Sequence, residues 1–523
     1  MQNLTLLKGC NRNRAIATGR SRKHDKSRRA EGGPRDRLLG QSQQSARVYV
    51  EATFVFWRTP CASIRGDFVR SVSAPTNPMV RSVFPVLVFF LAWIFSGVAE
   101  KLPLLGSLHI LTILGGLALI MVGLGGRLAV VVNSPIAKAL GLFTAWMVVC
   151  IPFGFWPGGS VALLRQVWLT SALSFVLVAG CILTIKQCIT IFKTIGYSVG
   201  VLAIITLALR GVDKTGRLGL LNTRYENAND LAWTLILGLS FLSFLLFRGN
   251  RSQRFVALLF SASILLALVK TGSRAGMVGF IMLAFFGFLQ STRTTRIKLA
   301  ITIPILLAVL YAVAPTEIRV RYTTIFGSGE SYEGRSLSLS AQEHVLATAT
   351  GSAEERWRLL QDGIYLTLRH PVFGVGPGDF QAAQNDLALS RGEAKGSWHV
   401  THNTYAQISS EMGITGLVIY LVFLYQCFKP LNSIVRSRYP GKDWQDLRAL
   451  ANSLRASFII ILTIAFFDSY GYDTNIPILA GLVCALSLIA QRQRERLTAP
   501  AQVAPTPASL PELAFEPAGM NSH

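Results

Sequence analysis

From residue 82 onward the chain alternates long apolar runs with short polar breaks. Twelve runs stand out, near 82–99, 103–124, 136–153, 167–185, 188–208, 231–247, 255–270, 275–290, 298–314, 404–428, 455–472 and 476–490. An apolar helix of about 20 residues crosses about 30 Å of hydrocarbon with every backbone polar group satisfied internally. The pattern therefore predicts an all-α integral membrane protein of about 12 transmembrane helices, with the lipid bilayer as its surroundings. A polar stretch, residues 315–403, interrupts the series after the ninth run and reads as one large, partly helical loop. Within it Trp357, Leu360, Ile364 and Leu368 recur at helical spacing, predicting a helix over Glu354–Arg369 that His370-Pro371 ends. Its apolar stripe is expected to lie on the membrane surface or to cap a cavity. Five regions follow: a basic, disordered tail (1–81), helices 1–9 (82–314), the loop (315–403), helices 10–12 (404–490) and a disordered C-terminal tail (491–523).

Charge orients the bundle. Lys and Arg concentrate in alternate loops: Arg248/Arg251/Arg254, Arg293/Arg296/Lys298, the 429–455 connector and Arg492/Arg494/Arg496. By the positive-inside rule these face the cytoplasm, as do both termini, and the 315–403 loop faces outward. Composition agrees with a membrane protein: 51% of residues are hydrophobic, 15% are charged, and the mean hydropathy is +0.43. The net charge of +24 owes much to residues 1–81, which hold 16 Lys/Arg against 5 Asp/Glu. No folded basic face or known module accompanies it, so nucleic acid is not an expected partner. The stretch Arg20–Arg29 is charged and poor in apolar residues, which predicts disorder. Of seven cysteines, Cys150, Cys181, Cys427 and Cys484 fall in or beside apolar runs, and none shows metal-ligand spacing. Neither disulfides nor a metal centre is indicated.

Several chemistries lack their motifs. There is no G-x-x-x-x-G-K-[ST] phosphate loop and no D-x-D, which leaves ATP-driven transport and a metal-bound nucleotide-sugar donor unsupported. Gly374-Val-Gly-Pro-Gly378 reads as a tight turn, and Gly196-x-x-x-Gly200 as close helix packing. Outward loops should be poor in cations, yet Arg217 and Arg224 precede the sixth run, and Lys270 and Arg274 flank the turn after the seventh. Ionisable residues at a membrane edge are functional candidates by default. Arg274 lies in Gly-Ser-Arg-Ala-Gly, where small neighbours admit a ligand and a guanidinium holds phosphate bidentately. The loop ends in Trp398-His-Val-Thr-His402-Asn403-Thr-Tyr405, directly before the tenth run. A neutral imidazole there can accept a hydroxyl proton near pH 7, while Asn403 is also a good helix N-cap.

These residues fall in a familiar order. A loop with Arg217, Arg224 and Asn229-x-Leu-Ala is followed by Gly-Ser-Arg274-Ala-Gly. Then come Arg356-Trp357, His370-Pro-Val-Phe-Gly-Val-Gly-Pro-Gly-Asp-Phe380, His402-Asn403-x-Tyr405, and Glu411-x-Gly413. Over about residues 82–490 this resembles the O-antigen ligase/polymerase superfamily of bacterial membrane glycosyltransferases. The resemblance implies a multi-pass protein of the bacterial inner membrane with its active site on the periplasmic side. It implies metal- and cofactor-independent transfer of a glycan from an undecaprenyl-diphosphate carrier to a glycan, lipid-core or protein acceptor. Arg274 would match the family arginine on the diphosphate, and His402 the family base for the acceptor hydroxyl. Asn229, Lys270, Asn403 and Tyr405 are further candidates for substrate contact. The second family arginine is open between Arg217 and Arg224, because the 217–229 stretch is longer than usual, and Ala228-Asn229 stands where Pro-Asn is usual. Ligase, polymerase and protein O-glycosyltransferase share these motifs. A transporter of an anionic substrate is the rival from another class, though no internal repeat is evident.

Overall fold

A computed structural model describes residues 78–101, 110–209, 211–212, 216–323 and 339–498. The first 77 residues, and with them most of the tail expected to be disordered, lie outside the described residues. So does the end of the C-terminal tail, from 499.

The described residues form helices, with an isolated bridge between Val212 and Leu218 in one loop. In chain order these are α1 (Pro78–Ser96), α2 (Ile110–Leu124), α3 (Pro135–Cys150) and α4 (Pro157–Cys181, through a π-helical turn at Leu164–Trp168). Next come α5 (Ile185–Leu209), α6 (Ala228–Arg248), α7 (Arg251–Lys270), α8 (Arg274–Gln290) and α9 (Arg293–Val313). The loop region contributes α10 (Leu339–Arg369) and α11 (Phe380–Ser390). The chain then returns to long helices: α12 (Thr404–Arg436), α13 (Lys442–Ile464) and α14 (Asn475–Thr498). Among the described residues nine helices are long and apolar enough to cross a membrane, not the twelve expected. The apolar parts of α1 and α2, and all of α8, are shorter apolar helices.

Local sequence sets the ends. Side-chain N-caps start α3 (Ser134), α6 (Asn227), α7 (Asn250, in a capping box with Gln253), α8 (Ser273), α9 (Thr292) and α12 (Asn403). Small residues then set helix spacing. A side chain at Gly238 would collide with Val199, and one at Gly200 with Phe260, so α5, α6 and α7 approach closely there. Between α6 and α13 the Ser240 and Ser457 hydroxyls pair at 2.6 Å, Ser453 Oγ donates to Ser240 O, and Arg248 pairs with Asp446, polar links beside the apolar contact. Helix α6 is almost entirely buried, whereas α9 has no buried residue and stands at the periphery.

Helix α12 breaks at Gly413, whose φ of 71° and ψ of 177° no other residue adopts cheaply. The turn 371–378 lies against the break: Ile414 N–H donates to Pro371 O (2.8 Å), Val375 N–H to Ser410 O (2.8 Å) and Gly376 N–H to Glu411 O (3.0 Å). This explains the glycine run 374–378 as a tight turn docked on a broken helix. A Cβ at Gly413 would sit 2.1 Å from the Val372 carbonyl oxygen. Gly413→Ala is expected to cost at least about 1–3 kcal/mol from backbone strain alone, with the clash added. Thermal unfolding of the purified variant checks this; an unchanged Tm would count against the docked turn.

Three expectations need correction. The eleventh run was placed at 455–472, but the helix is α13, Lys442–Ile464, and the following residues form a loop. The N-terminal half of α13 is amphipathic, burying Trp444, Leu447 and Leu450 between polar positions, so it lacks a continuous apolar signal. The last helix does not stop at 490: α14 continues through the charged stretch Gln491–Thr498. Finally, α10 starts well before Glu354; Leu359, Asp362 and Leu366 face the protein, and Trp357, Ile364 and Leu368 of the apolar stripe face away from it, the side a membrane surface would meet.

Candidate active site

Helices α6, α8, α12 and α14 begin, and α7 and α13 end, at one end of the bundle. The links between them are direct. Leu218 N–H donates to the last carbonyl of α7, Lys270 O (3.0 Å), and Thr404 N–H at the start of α12 donates to Ala465 O after α13 (2.8 Å).

His402 sits at the centre of the second junction. Its imidazole Nδ1 is 3.3 Å from Asp468 Oδ1, and both side chains are largely buried. With Asp468 ionised, Nδ1 must carry the proton and donate, which leaves Nε2 as an acceptor. The aspartate is fixed in turn: its Oδ1 accepts from Ser469 N–H (3.0 Å), and its backbone carbonyl accepts from the Thr404 hydroxyl (2.8 Å). Thr401 and Ser469 hydroxyls pair at 2.9 Å, joining the two segments a second time. His402 has φ of 49°, in the left-handed region that non-glycine residues seldom occupy. The surroundings hold a strained backbone in the conformation that turns this ring toward Asp468.

The sequence reading missed Asp468, because it lay inside an expected membrane run. The signal was present in Asp468-Ser-Tyr-Gly-Tyr-Asp473, whose two aspartates and glycine do not suit a membrane span. Tyr470 extends the network: its hydroxyl donates to Asp230 Oδ1 (3.0 Å) and lies 3.5 Å from Asp468 Oδ2. Burial, and then the carboxylates of Asp468 and Asp230, push this phenol well above its ordinary range, so it remains a donor.

The arginines separate into two places. Arg217 donates through Nε to Thr271 O (2.8 Å) and through Nη2 to Asn229 Oδ1 (2.8 Å). Ser273 Oγ donates to the same Asn229 oxygen (2.9 Å) and accepts from Gly276 N–H (3.1 Å). Arg217 and Asn229 are thereby tied to the turn that bears Arg274. Arg224 instead reaches Ile94 O and the Tyr225 hydroxyl, and its guanidinium lies 4.6 Å from the centre of the Tyr225 ring. Of the two, Arg217 is the one beside Arg274.

Arg274 is the first residue of α8, half-buried, where the helix dipole disfavours a cation but favours a bound anion. Arg356 of α10 is its charged neighbour, a residue the sequence motif contained but the site reading left out. Next to Arg356, Glu355 bonds His399 Nδ1 at 2.6 Å, and the His399 and His402 rings are 6.5 Å apart, centre to centre. A continuous path of residues thus joins the arginine turn to the histidine.

The remaining candidates have structural duties. Asn403 caps α12 through Tyr405 N–H and Ala406 N–H, both at 3.0 Å. The Tyr405 hydroxyl donates to Leu462 O (3.1 Å), and Lys270 contributes its carbonyl to the loop above it. Among the described residues no three His, Cys, Asp or Glu side chains gather as a metal site would require.

Residues 258–421 match the family model for O-antigen ligase, a segment that runs from α7 through the Arg274 turn and His402 into α12. Over that segment the chain is similar to the O-antigen ligase family, which supports the resemblance to the O-antigen ligase/polymerase superfamily. The long apolar helices read as a multi-pass membrane protein, and the matched family is one of glycan transfer in surface polysaccharide biosynthesis. No curated protein matches the chain.

Proposed function

We propose that this protein transfers a glycan from an undecaprenyl-diphosphate carrier to an acceptor hydroxyl on the periplasmic face of the inner membrane, as an O-antigen ligase. The observation that carries the reading is the His402–Asp468 pair standing at the same end of the bundle as the cations of Arg217, Arg274 and Arg356. The reaction needs a base for a hydroxyl and fixed positive charge for a departing diphosphate, and these side chains are of the kinds that supply them.

In this scheme the acceptor oxygen attacks the anomeric carbon of the carried glycan. The new C–O bond forms as the bond to the diphosphate oxygen breaks, and that electron pair leaves on the diphosphate. The acceptor proton passes to His402 Nε2, leaving an imidazolium that Asp468 stabilises. Arg274, with Arg217 positioned beside it, takes up the negative charge that builds on the leaving group. No step in the scheme calls for a metal ion.

Cells lacking this protein should accumulate glycan on polyprenyl diphosphate and lose it from the surface acceptor. Mass spectrometry of the lipid fraction measures this. Unchanged lipid-linked glycan together with normally decorated acceptor would sink the reading.

A further inference from the structure

At the end of α12 remote from His402, one helix face changes from apolar to cationic. Ile414, Val418, Leu421 and Tyr425 recur at helical spacing and are all exposed, and Lys429, Asn432 and Arg436 continue the same stripe. Tyr425, Lys429, Asn432 and Arg436 line a groove of about 460 Å³, together with Ser433 and Ser437. A second cavity, of about 310 Å³, shares Lys429 and Ser433 with it and runs between α3, α12 and α14 past Ile136, Pro430 and Leu488. The cationic groove therefore opens onto apolar walls in both directions.

More positive charge gathers here from the neighbouring helices. Arg494 of α14 donates through Nη2 to Ser433 Oγ (3.0 Å) and Ser437 Oγ (3.3 Å), and its guanidinium lies 5.4 Å from the centre of the Trp444 ring. Those contacts fix it at the groove's edge. Arg455 of α13 is a charged neighbour of Arg436. Among the described residues none of Lys429, Arg436, Arg455 and Arg494 forms an ion pair with a carboxylate. Like charges gathered at one groove repel, and an anion seated among them relieves that repulsion.

The order along α12 selects the kind of anion. A free phosphate needs only the cations. Cations at one end of an exposed apolar stripe match a molecule that is anionic at one end and hydrocarbon at the other, and basic pockets between membrane helices hold anionic lipid head groups in this way. Two turns of helix, about 10 Å, separate Lys429 from Arg436, a span that suits a phosphodiester and its glycerol. This is also the end of the bundle that the loop charges assign to the cytoplasm.

We propose that this groove binds an anionic phospholipid of the cytoplasmic leaflet, its phosphate between Lys429 and Arg436 and an acyl chain along Tyr425, Leu421 and Val418. The site is separate from the transfer chemistry at the other end of α12 and does not depend on it.

The purified full-length protein in detergent is titrated with phosphatidylglycerol or phosphatidylcholine, and lipid-bound masses are counted by native mass spectrometry. Phosphatidylglycerol should bind saturably and about tenfold more tightly than phosphatidylcholine. In Lys429→Gln/Arg436→Gln its affinity should fall about thirtyfold, the worth of two cations at a lipid surface. Arg251→Gln/Arg293→Gln removes as much charge from exposed positions at the same end of the bundle, outside the groove, and should stay within about threefold of wild type. If the groove variant does not fold, Lys429→Gln alone carries the test, with about a fivefold loss. Millimolar inorganic phosphate should leave the bound lipid in place. Equal losses in the two double variants would assign the binding to diffuse charge and overturn the site. Phosphatidylcholine bound as tightly as phosphatidylglycerol, or lipid displaced by phosphate, would overturn it as well. So would a dimer that the groove variant dissolves, since a second copy of the chain would then occupy the stripe.

Discussion

His402→Ala is expected to transfer glycan about 10²–10⁴-fold more slowly than wild type while still binding the lipid-linked donor. The imidazole is the side chain at the junction whose Nε2 is left to accept, because Nδ1 is turned to Asp468 at 3.3 Å. Removing it takes away the base but leaves the arginines, so donor affinity should survive. Asp468→Asn should fall in the same range for a different reason. An amide can present its NH₂ to Nδ1 and so favour the tautomer with Nε2 protonated, which cannot take the acceptor's proton. His399→Ala should stay near wild type, since that ring is exposed and paired with Glu355. Initial rates with saturating donor and acceptor separate these cases. A His402→Ala rate equal to wild type would remove the base from the mechanism.

Arg274→Lys should remain impaired roughly a hundredfold, because one charge-assisted bond to a developing anion contributes on the order of 3 kcal/mol. Lysine keeps the charge but loses the planar fork that meets a diphosphate bidentately. It would also present a compact, strongly hydrated charge at the first position of α8, where only an anion offsets the dipole. The loss should appear in kcat more than in KM if the contact strengthens as the leaving group departs. An Arg274→Lys enzyme within about twofold of wild type would show that point charge suffices, against the expectation for bidentate binding.

How legible the site was in the sequence varies with the kind of signal each part gives. The Arg274 turn was readable because Gly-Ser-Arg-Ala-Gly interrupts two apolar runs, and Ser273 caps the helix that follows. The start of α12 was readable because an N-cap asparagine sits where the polar loop ends. The partner of His402 was not. Asp468 follows an apolar stretch without a strong break, and α13 draws its buried face from an amphipathic segment that a run of hydrophobic residues cannot reveal. The choice between Arg217 and Arg224 was equally hidden, since six residues of loop separate them and only folding sends one to Asn229 and the other to Tyr225. In α10 the helix and its apolar stripe were legible, whereas the protein-facing side with Leu359, Asp362 and Leu366 was not. Periodicity finds a helix; it does not say which face the rest of the protein covers.

The most direct test is a single-turnover transfer assay with purified protein, purified lipid-linked donor and acceptor, with EDTA present throughout. Free polyprenyl diphosphate and glycosylated acceptor are followed together. The wild type should release one diphosphate for each glycosidic bond formed, and His402→Ala should bind the donor yet produce both products at least a hundredfold more slowly, the low end of a general-base contribution of about 10²–10⁴. Wild-type product formation by His402→Ala, or a reaction abolished by EDTA, would contradict the account.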